Sequence, residues 1–211
     1  IAVKYEVPTV KVTGGQRIDL LGIPKENLND MWAEIATAGM ASGYAYGKAT
    51  RTCKSCVGKD HCLMGTQDSM GLSVKMEDAV WSHFMPHKFK MGVSGCPRNC
   101  AEATIKDFGV ICTEKGYEIH VAGACGIRTK ACLKDRFFET EVEVIDYLRA
   151  FVQLYRVEAN YLERVMHFEE RVGLDYIQSK LDTPEKIKSW ADKLPKTIKN
   201  PWLTTNHRLS A

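Results

Sequence analysis

The chain has 211 residues, of which 29 are Lys or Arg and 26 are Asp or Glu, giving a formal net charge of +3. With 45% hydrophobic and 26% charged residues it has the composition of a folded globular protein, which excludes a mostly disordered chain. No apolar run reaches the roughly 18 residues of a membrane-spanning helix, and the charge is too small to indicate a nucleic-acid partner. The first residues show no signal peptide, so we expect a cytoplasmic protein, and the missing initial Met indicates a fragment or a disordered start.

The first part of the sequence predicts a strand followed by a helix. Residues 8–12 alternate and are rich in β-branched side chains, which is typical of a strand, and two glycines follow it. Pro24 suits the first turn of a helix, and apolar residues recur behind it at helical spacing from Leu28 to Ile35. The small-residue stretch from Gly39 to Gly47 predicts a loop at a junction between subdomains.

The middle of the chain shows the period of strands. Residues 88–93 alternate, and a strand there would place Lys88 and Lys90 on one face. Residues 108–113 and 117–122 alternate again on either side of a Glu-Lys-Gly turn, which predicts a β-hairpin.

From Thr140 onward the apolar period changes to that of helices. Thr140 and Glu143 form a capping-box pattern, and apolar residues continue at steps of three and four beyond Leu162. Gly173 fits a helix end. A last short helix is expected to start at the Thr-Pro pair before Glu185 and to end before the next proline.

Cysteines, eight in all, are the most informative residues in the composition. Without an export signal the default compartment is reducing, and clustered cysteines there indicate metal or redox ligands before disulfides. Four of them form two close pairs, a C-x5-C pair of Cys56 with Cys62 and, 34 residues later, a C-x3-C pair of Cys96 with Cys100. We expect this region, residues 49–103, to consist of loops and short helices.

Two kinds of centre fit four thiolates in two pairs, a structural zinc ion and an iron–sulfur cluster. Zinc prefers pairs spaced from C-x2-C to C-x4-C on tight turns, and C-x5-C is loose for that purpose. Gly95 and Pro97 flank Cys96, and such residues let backbone amides point at cluster sulfides. The spacing therefore favours an iron–sulfur cluster, with zinc and ordinary buried thiols as alternatives.

Together with further stretches, the two cysteine pairs resemble the signature of the siroheme-containing nitrite and sulfite reductases. The supporting stretches are residues 13–22, 42–47, 65–69 and 101–109. Within that family the resemblance is greatest to the siroheme region of the large subunit of assimilatory NAD(P)H nitrite reductases, and it extends to about Leu181.

This resemblance implies two coupled cofactors, a [4Fe–4S] cluster and siroheme. The cluster would be held by Cys56, Cys62, Cys96 and Cys100, and Cys100 would also be the axial ligand of the siroheme iron. Substrate would bind at the opposite, open face of that iron. The resemblance assigns no ligand role to the remaining thiols, which we expect to be ordinary ones: Cys53, Cys112, Cys125 and Cys132.

Siroheme is rich in carboxylates and its substrates are oxyanions, so the site must supply cations. Lys88 and Lys90 resemble a Lys-x-Lys strand that faces substrate in the family, and Arg51 occupies roughly the place of a substrate-binding arginine. We expect these three residues to bind the oxyanion, and the lysines also to supply protons. Other cations are expected to bind siroheme: Arg17, Lys48, Arg98 and Arg128.

We therefore expect an α+β fold, that of a nitrite/sulfite reductase siroheme half-domain. Residues 1–46 would form a partial ferredoxin-like half-domain, residues 47–181 the siroheme and iron–sulfur domain with C-terminal helices, and residues 182–211 a C-terminal helix and tail. The implied function is the six-electron reduction of nitrite to ammonium. Reduction of sulfite to sulfide, or an isolated iron–sulfur- or zinc-binding domain without turnover, are the alternatives.

The resemblance also implies partners. These would be a small oxyanion substrate and a flavin or NAD(P)H electron-donor domain or subunit outside this chain. A homodimer or a partner chain would supply the second half of the site, because relatives contain two pseudo-symmetric halves around one haem. We expect no nucleic-acid and no membrane partner.

Overall fold

The structure, a computed structural model, describes residues 1–40, 47–81 and 83–196. The chain divides into two compact units, one holding residues 1–40 and the other the rest of the described residues. Strands and helices occur in both units, which confirms the α+β class. The predicted junction lies mostly outside the described residues, and the three-part domain division remains a prediction. None of the described helices is long and apolar enough to cross a membrane.

The N-terminal unit is an antiparallel hairpin followed by a helix. Strands β1 (Thr9–Val12) and β2 (Ile18–Leu21) pair along their full length. A 3-10 turn at Lys25–Asn27 leads into helix α1 (Leu28–Thr37). The first strand and the helix are as predicted. Strand β2 was not predicted, because its residues, Ile-Asp-Leu-Leu, break the alternation of apolar and polar side chains.

The second unit contains a five-stranded mixed sheet in the order β3-β4-β5-β6-β7. Strands β3 (Lys54–Ser55), β4 (Met91–Ser94) and β5 (Phe108–Thr113) are parallel to one another. Strands β6 (Gly116–Val121) and β7 (Leu133–Phe138) continue the sheet antiparallel. The hairpin of β5 and β6 is as predicted, whereas β7 was missed because three consecutive charged residues interrupt its apolar pattern.

The strand predicted from residue 88 begins only at Met91. Phe89 forms an isolated bridge with Thr50, and the Lys90 N–H binds the side chain of Asp107 instead of a neighbouring backbone carbonyl. Lys88 and Lys90 therefore precede β4 and do not belong to it. All four residues of β4 are buried, so this strand has no exposed face.

The described part of the second unit contains five helices: α2 (Ser69–Val80), α3 (Glu141–Glu158), α4 (Val165–Val172), α5 (Leu174–Lys180) and α6 (Pro184–Lys193). The predicted capping box of Thr140 and Glu143 starts α3, and Thr183 caps α6. Helix α3 is shorter than the apolar pattern predicted, because Ala159 has extended backbone and Leu162 has a φ of +64°. Helix α2 exceeds the short helices expected between the cysteine pairs.

Aromatic side chains of α3 form the core against the sheet. Phe151 meets Phe108 of β5 edge-on, with ring centroids 5.6 Å apart, and also lies 6.3 Å from the ring of Phe89. Tyr155 contacts Phe89 from the next turn of the helix at 6.1 Å. Burial of a side chain of this size contributes about 1.5–3 kcal/mol. The core therefore fixes the position of Phe89, and with it the lysines on either side.

Candidate metal centre and anion-binding site

Cys56 and Cys96, one cysteine from each pair, lie just beyond the carboxyl ends of neighbouring parallel strands. Lys54 and Ser55 of β3 pair in parallel with residues 92 and 93 of β4, so the loops that follow leave the sheet at the same edge. The Gly95 N–H donates a hydrogen bond of 3.0 Å to Cys56 Sγ, which joins the two loops directly. The structure thus brings one member of each predicted pair together.

Three glycines allow close backbone packing around Cys56. A Cβ at Gly65 would lie 2.6 Å from the backbone of Gly58 and of Lys59, and a Cβ at Gly95 would lie 3.0 Å from the Gly58 Cα. Gly58 itself has a φ of +68°, a conformation that favours glycine. Larger residues at these positions would force the cysteine loops apart.

Further hydrogen bonds tie the loop after Cys62 to the second cysteine loop. Both the backbone N–H and the hydroxyl of Thr66 donate to the Gly95 carbonyl, at 2.7 and 2.9 Å. The Gly65 N–H donates to the Cys62 carbonyl at 2.9 Å and closes the turn after that cysteine. Backbone and side-chain bonds together set the separation of the two loops.

The turn that carries Cys100 is organised by Asn99, a residue whose role was not predicted from the sequence. Asn99 Oδ1 accepts a hydrogen bond from the Ala103 N–H at 2.7 Å, and its Nδ2 donates to Thr104 Oγ1 at 2.7 Å. Asn99 and Glu102 both have left-handed backbone, with φ of +58° and +56°. Asparagine tolerates this conformation better than most residues. The asparagine itself was therefore the one sequence signal that could have indicated this turn.

The thiols of the four predicted ligands differ in exposure. Cys96 is buried, Cys56 and Cys62 are half-buried, and Cys100 is exposed. Burial raises the pKa of Cys56, but hydrogen bonds from Ser69 and from the backbone amides of Gly95 and Gly58 outweigh it. The pKa of Cys56 therefore lies below its ordinary value, which favours the thiolate that binds metal.

The residues present fit an iron–sulfur cluster. Within the described ranges, no three Cys, His, Asp or Glu side chains are close enough together to ligate one metal ion. Cys56 and Cys96 lie on adjoining loops with the Gly95 N–H directed at Cys56 Sγ, and backbone hydrogen bonds of this kind to sulfur are what a thiolate-held cluster uses. An open cleft of about 720 Å³ adjoins the two loops and is lined by Leu63, Met64, Gly65, Thr66, Cys96, Pro97, Arg98 and Glu114.

The three predicted substrate cations, Arg51, Lys88 and Lys90, lie on one short stretch of paired backbone. The Arg51 N–H donates to the Phe89 carbonyl at 2.9 Å, between the two lysines. Partial burial and the positive charges of Lys88 and Arg164 lower the pKa of Lys90. Arg164 was not predicted from the sequence, because its helix lies far along the chain.

His87 lies beside the same group of cations. Burial, followed by the charges of Arg164, Lys88 and Arg51, lowers the pKa of this histidine. The Lys88 N–H donates to its Nδ1 at 2.8 Å, as a neutral imidazole allows. The histidine thus helps to hold the chain at Lys88 without adding charge.

Of the cations predicted to bind siroheme, Arg98 is the one that lines the cleft beside the cysteines. Lys48 donates to the Tyr161 hydroxyl at 2.7 Å, and Arg128 makes two bonds with Glu170 at 3.0 and 2.7 Å. These two cations are therefore engaged by protein partners in this structure. Arg17 belongs to the N-terminal unit. The siroheme-binding roles of all four cations remain predictions.

The four other cysteines differ from the predicted ligands in their burial or in their position. Burial raises the pKa of Cys112 to about 12 and that of Cys132 to about 11. Burial also raises the pKa of Cys53, while Cys125 is exposed on the turn between β6 and β7. The three buried or half-buried residues are thus neutral thiols.

The known proteins to which this chain is similar agree with one another in kind. Residues 46–189 match the family model described as the nitrite and sulphite reductase 4Fe-4S domain. The chain is 48% identical over 202 residues to a nitrite reductase [NAD(P)H] of Bacillus subtilis, covering 94% of this chain and 25% of that protein. It is 34% identical over 177 residues to the assimilatory-type sulfite reductase of Nitratidesulfovibrio vulgaris, covering 83% of this chain and 79% of that protein.

A solved structure shares the fold. The Mycobacterium tuberculosis NirA protein superposes with a TM-score of 0.76 at 18% identity, covering 89% of this chain and 36% of that one. The chain spans a quarter or less of the length of the first nitrite reductases that it matches.

Proposed function

Because the chain belongs to the nitrite and sulphite reductase 4Fe-4S domain family, we propose that it is the cofactor-binding part of an enzyme that reduces nitrite to ammonium. One observation carries this proposal on the structural side. Cys56 and Cys96 emerge side by side from parallel strands and are joined by the Gly95 N–H. Cys56, Cys62, Cys96 and Cys100 would hold the [4Fe–4S] cluster, with Cys100 shared with siroheme.

When bound, siroheme and the cluster, the cofactors of this family, would carry electrons from the donor to an oxyanion held at the siroheme iron. The chain's own contribution at the cluster is a set of thiols with backbone donors nearby. The Gly95 N–H donates to Cys56 Sγ at 3.0 Å and stabilises that thiolate, and the Ser69 hydroxyl lies 3.3 Å from the same sulfur. Such donors also tune the reduction potential of a bound cluster.

Binding of substrate would fall to Arg51, Lys88 and Lys90. An oxyanion entering this group would meet two ammonium groups separated by one residue and a guanidinium from the segment whose backbone pairs with Phe89. Reduction of nitrite consumes protons as its oxygens leave as water, and an ammonium group can donate them. The lowered pKa of Lys90 makes its ammonium a stronger acid than that of an ordinary lysine.

Electrons would come from a flavin or NAD(P)H domain or subunit outside this chain, because the related nitrite reductases are named for NAD(P)H and are much longer. We place the reaction in the cytoplasm, where eight cysteines stay reduced. A second copy or a partner chain would complete the site around the haem.

Sulfite reduction to sulfide is the second candidate, favoured by the 34% identity to an assimilatory-type sulfite reductase. The test uses the full-length enzyme, isolated without oxygen and driven by a reduced viologen dye. The proposal expects a larger kcat/KM for nitrite than for sulfite. A larger value for sulfite would move the assignment to sulfite reduction, and bound cluster without turnover of either anion would leave only a binding domain.

A further inference from the structure

Asp107 is a fully buried carboxylate directly before β5, outside the set of residues assigned to substrate or cofactor above. Its two oxygens accept hydrogen bonds from Arg164 Nη2 at 2.8 and 3.0 Å. Its Oδ2 also accepts the backbone N–H of Lys90 at 2.8 Å. A buried carboxylate with these partners is fully paired, and its acceptors are directed at the segment that carries the two lysines.

The backbone explains why a side chain is needed at this point. Strands β4 and β5 are parallel from Met91 onward, and the Phe108 N–H donates to the Lys90 carbonyl at 3.1 Å. In a regular parallel ladder the Lys90 N–H would bind the Lys106 carbonyl. That carbonyl already accepts the Gly123 N–H at 2.8 Å and the Cys132 thiol at 3.0 Å. The Asp107 carboxylate takes its place as acceptor.

The opposite edge of the same segment is held by ordinary backbone bonds. The Phe89 N–H donates to the Ala49 carbonyl at 3.1 Å, and the Arg51 N–H donates to the Phe89 carbonyl at 2.9 Å. Phe89, the residue between the two lysines in the sequence, is fully buried. The side chains of Lys88 and Lys90 therefore extend from the opposite face of this segment. Residues 88–90 are therefore clamped from two sides, and the Asp107 contact is the only one of these bonds that carries charge.

We infer that Asp107, held in place by Arg164, is a positioning residue that sets where the Lys88 and Lys90 ammonium groups meet the oxyanion. The inference rests on the proposed function, because it assumes that the two lysines bind substrate. Charge-assisted hydrogen bonds are roughly twice as strong as neutral ones. A neutral acceptor at this position therefore loosens the backbone at Lys90, and small displacements of binding groups are costly for catalysis.

The test compares Asp107→Asn with Asp135→Asn in the full-length holoenzyme. Asp135 is a matched control, because its side chain is also fully buried and accepts hydrogen bonds from Tyr147 and Gln178. Asp107→Asn is expected to speed hydrogen exchange of the Lys90 amide about tenfold and to raise the KM for nitrite about tenfold, with kcat changed by less than about threefold. Asp135→Asn is expected to change neither the exchange of this amide nor the KM.

A second variant keeps the test decisive if the uncompensated Arg164 charge prevents folding. The double variant Asp107→Asn with Arg164→Gln removes both charges and is expected to show the same rise in exchange and in KM. Unchanged exchange and KM in the folded variant would overturn the inference. The proposed function is tested separately by Lys88→Met and Lys90→Met. If these raise KM while Asp107→Asn does not, only the positioning role fails; if they also leave KM unchanged, both fail.

Discussion

Replacement of Gly65 by alanine should push apart the segment after Cys62 and the segment after Cys56. The added Cβ would lie 2.6 Å from the backbone of Gly58 and Lys59, well inside ordinary contact, and backbone cannot rotate away as a flexible side chain can. Overpacking of this kind costs about 1–3 kcal/mol, and we expect the upper end. For a chain of this size, a loss of about 3 kcal/mol lowers the Tm by roughly 6–12 °C.

The assay measures the Tm of the cofactor-free chain by circular dichroism and the iron bound per chain after reconstitution. Gly126→Ala is the matched control, because a Cβ at Gly126 meets no atom within 4 Å. We expect Gly65→Ala to lower both quantities, and Gly126→Ala to leave the iron content unchanged and the Tm unchanged or slightly raised.

The reasoning would be refuted if Gly65→Ala kept both the Tm and the full iron content of the unchanged chain. That result would mean that the close approach of the segments after Cys56 and after Cys62 does not set the geometry of the metal site. A lowered Tm with full iron content would contradict the link between packing and cluster binding.

Three further predictions concern the same site and core. Cys100→Ser should abolish both the cluster and its coupling to the haem, and a normal coupled absorption spectrum would contradict the shared thiolate. Replacing Lys88 and Lys90 together by Met should lower turnover more than haem content, as measured by steady-state rates and absorbance; unchanged rates would end their assignment. Burial and two nearby arginines lower the pKa of His83 from 6.5 to about 4, so the unfolded chain binds a proton over this range that the folded chain does not. The free energy of unfolding should therefore fall by up to about 3 kcal/mol as the pH drops from 6.5 to 4. His83→Gln should make the Tm less dependent on pH over this range.

Local chemistry in the sequence predicted those parts of the fold that depend on neighbours in the chain. The capping box at Thr140 and the helix end at Gly173 are formed by residues within a few positions of each other, and both occur in the structure. The β5–β6 hairpin was predicted for the same reason, since its turn and alternation are local. The spacing of the cysteines is also a local pattern, and it indicated the four candidate ligands.

Features that depend on distant contacts were not predictable. Strand β4 starts three residues late because the Lys90 N–H binds a side chain, and that arrangement depends on the Lys106 carbonyl being occupied from residues 123 and 132. Arg164 reaches Asp107 from 57 positions along the chain. A periodic pattern in the sequence cannot indicate such contacts, so the buried pair of Asp107 and Arg164 is visible only in the structure.

Metal analysis of the protein purified without oxygen tests most directly whether the four thiolates hold an iron–sulfur cube. The account predicts about five iron atoms per chain, four from the cluster and one from siroheme, and about four acid-labile sulfides. The sulfides and the cluster iron should be lost in Cys56→Ser and retained in Cys125→Ser. One zinc ion per chain with neither iron nor sulfide would contradict it.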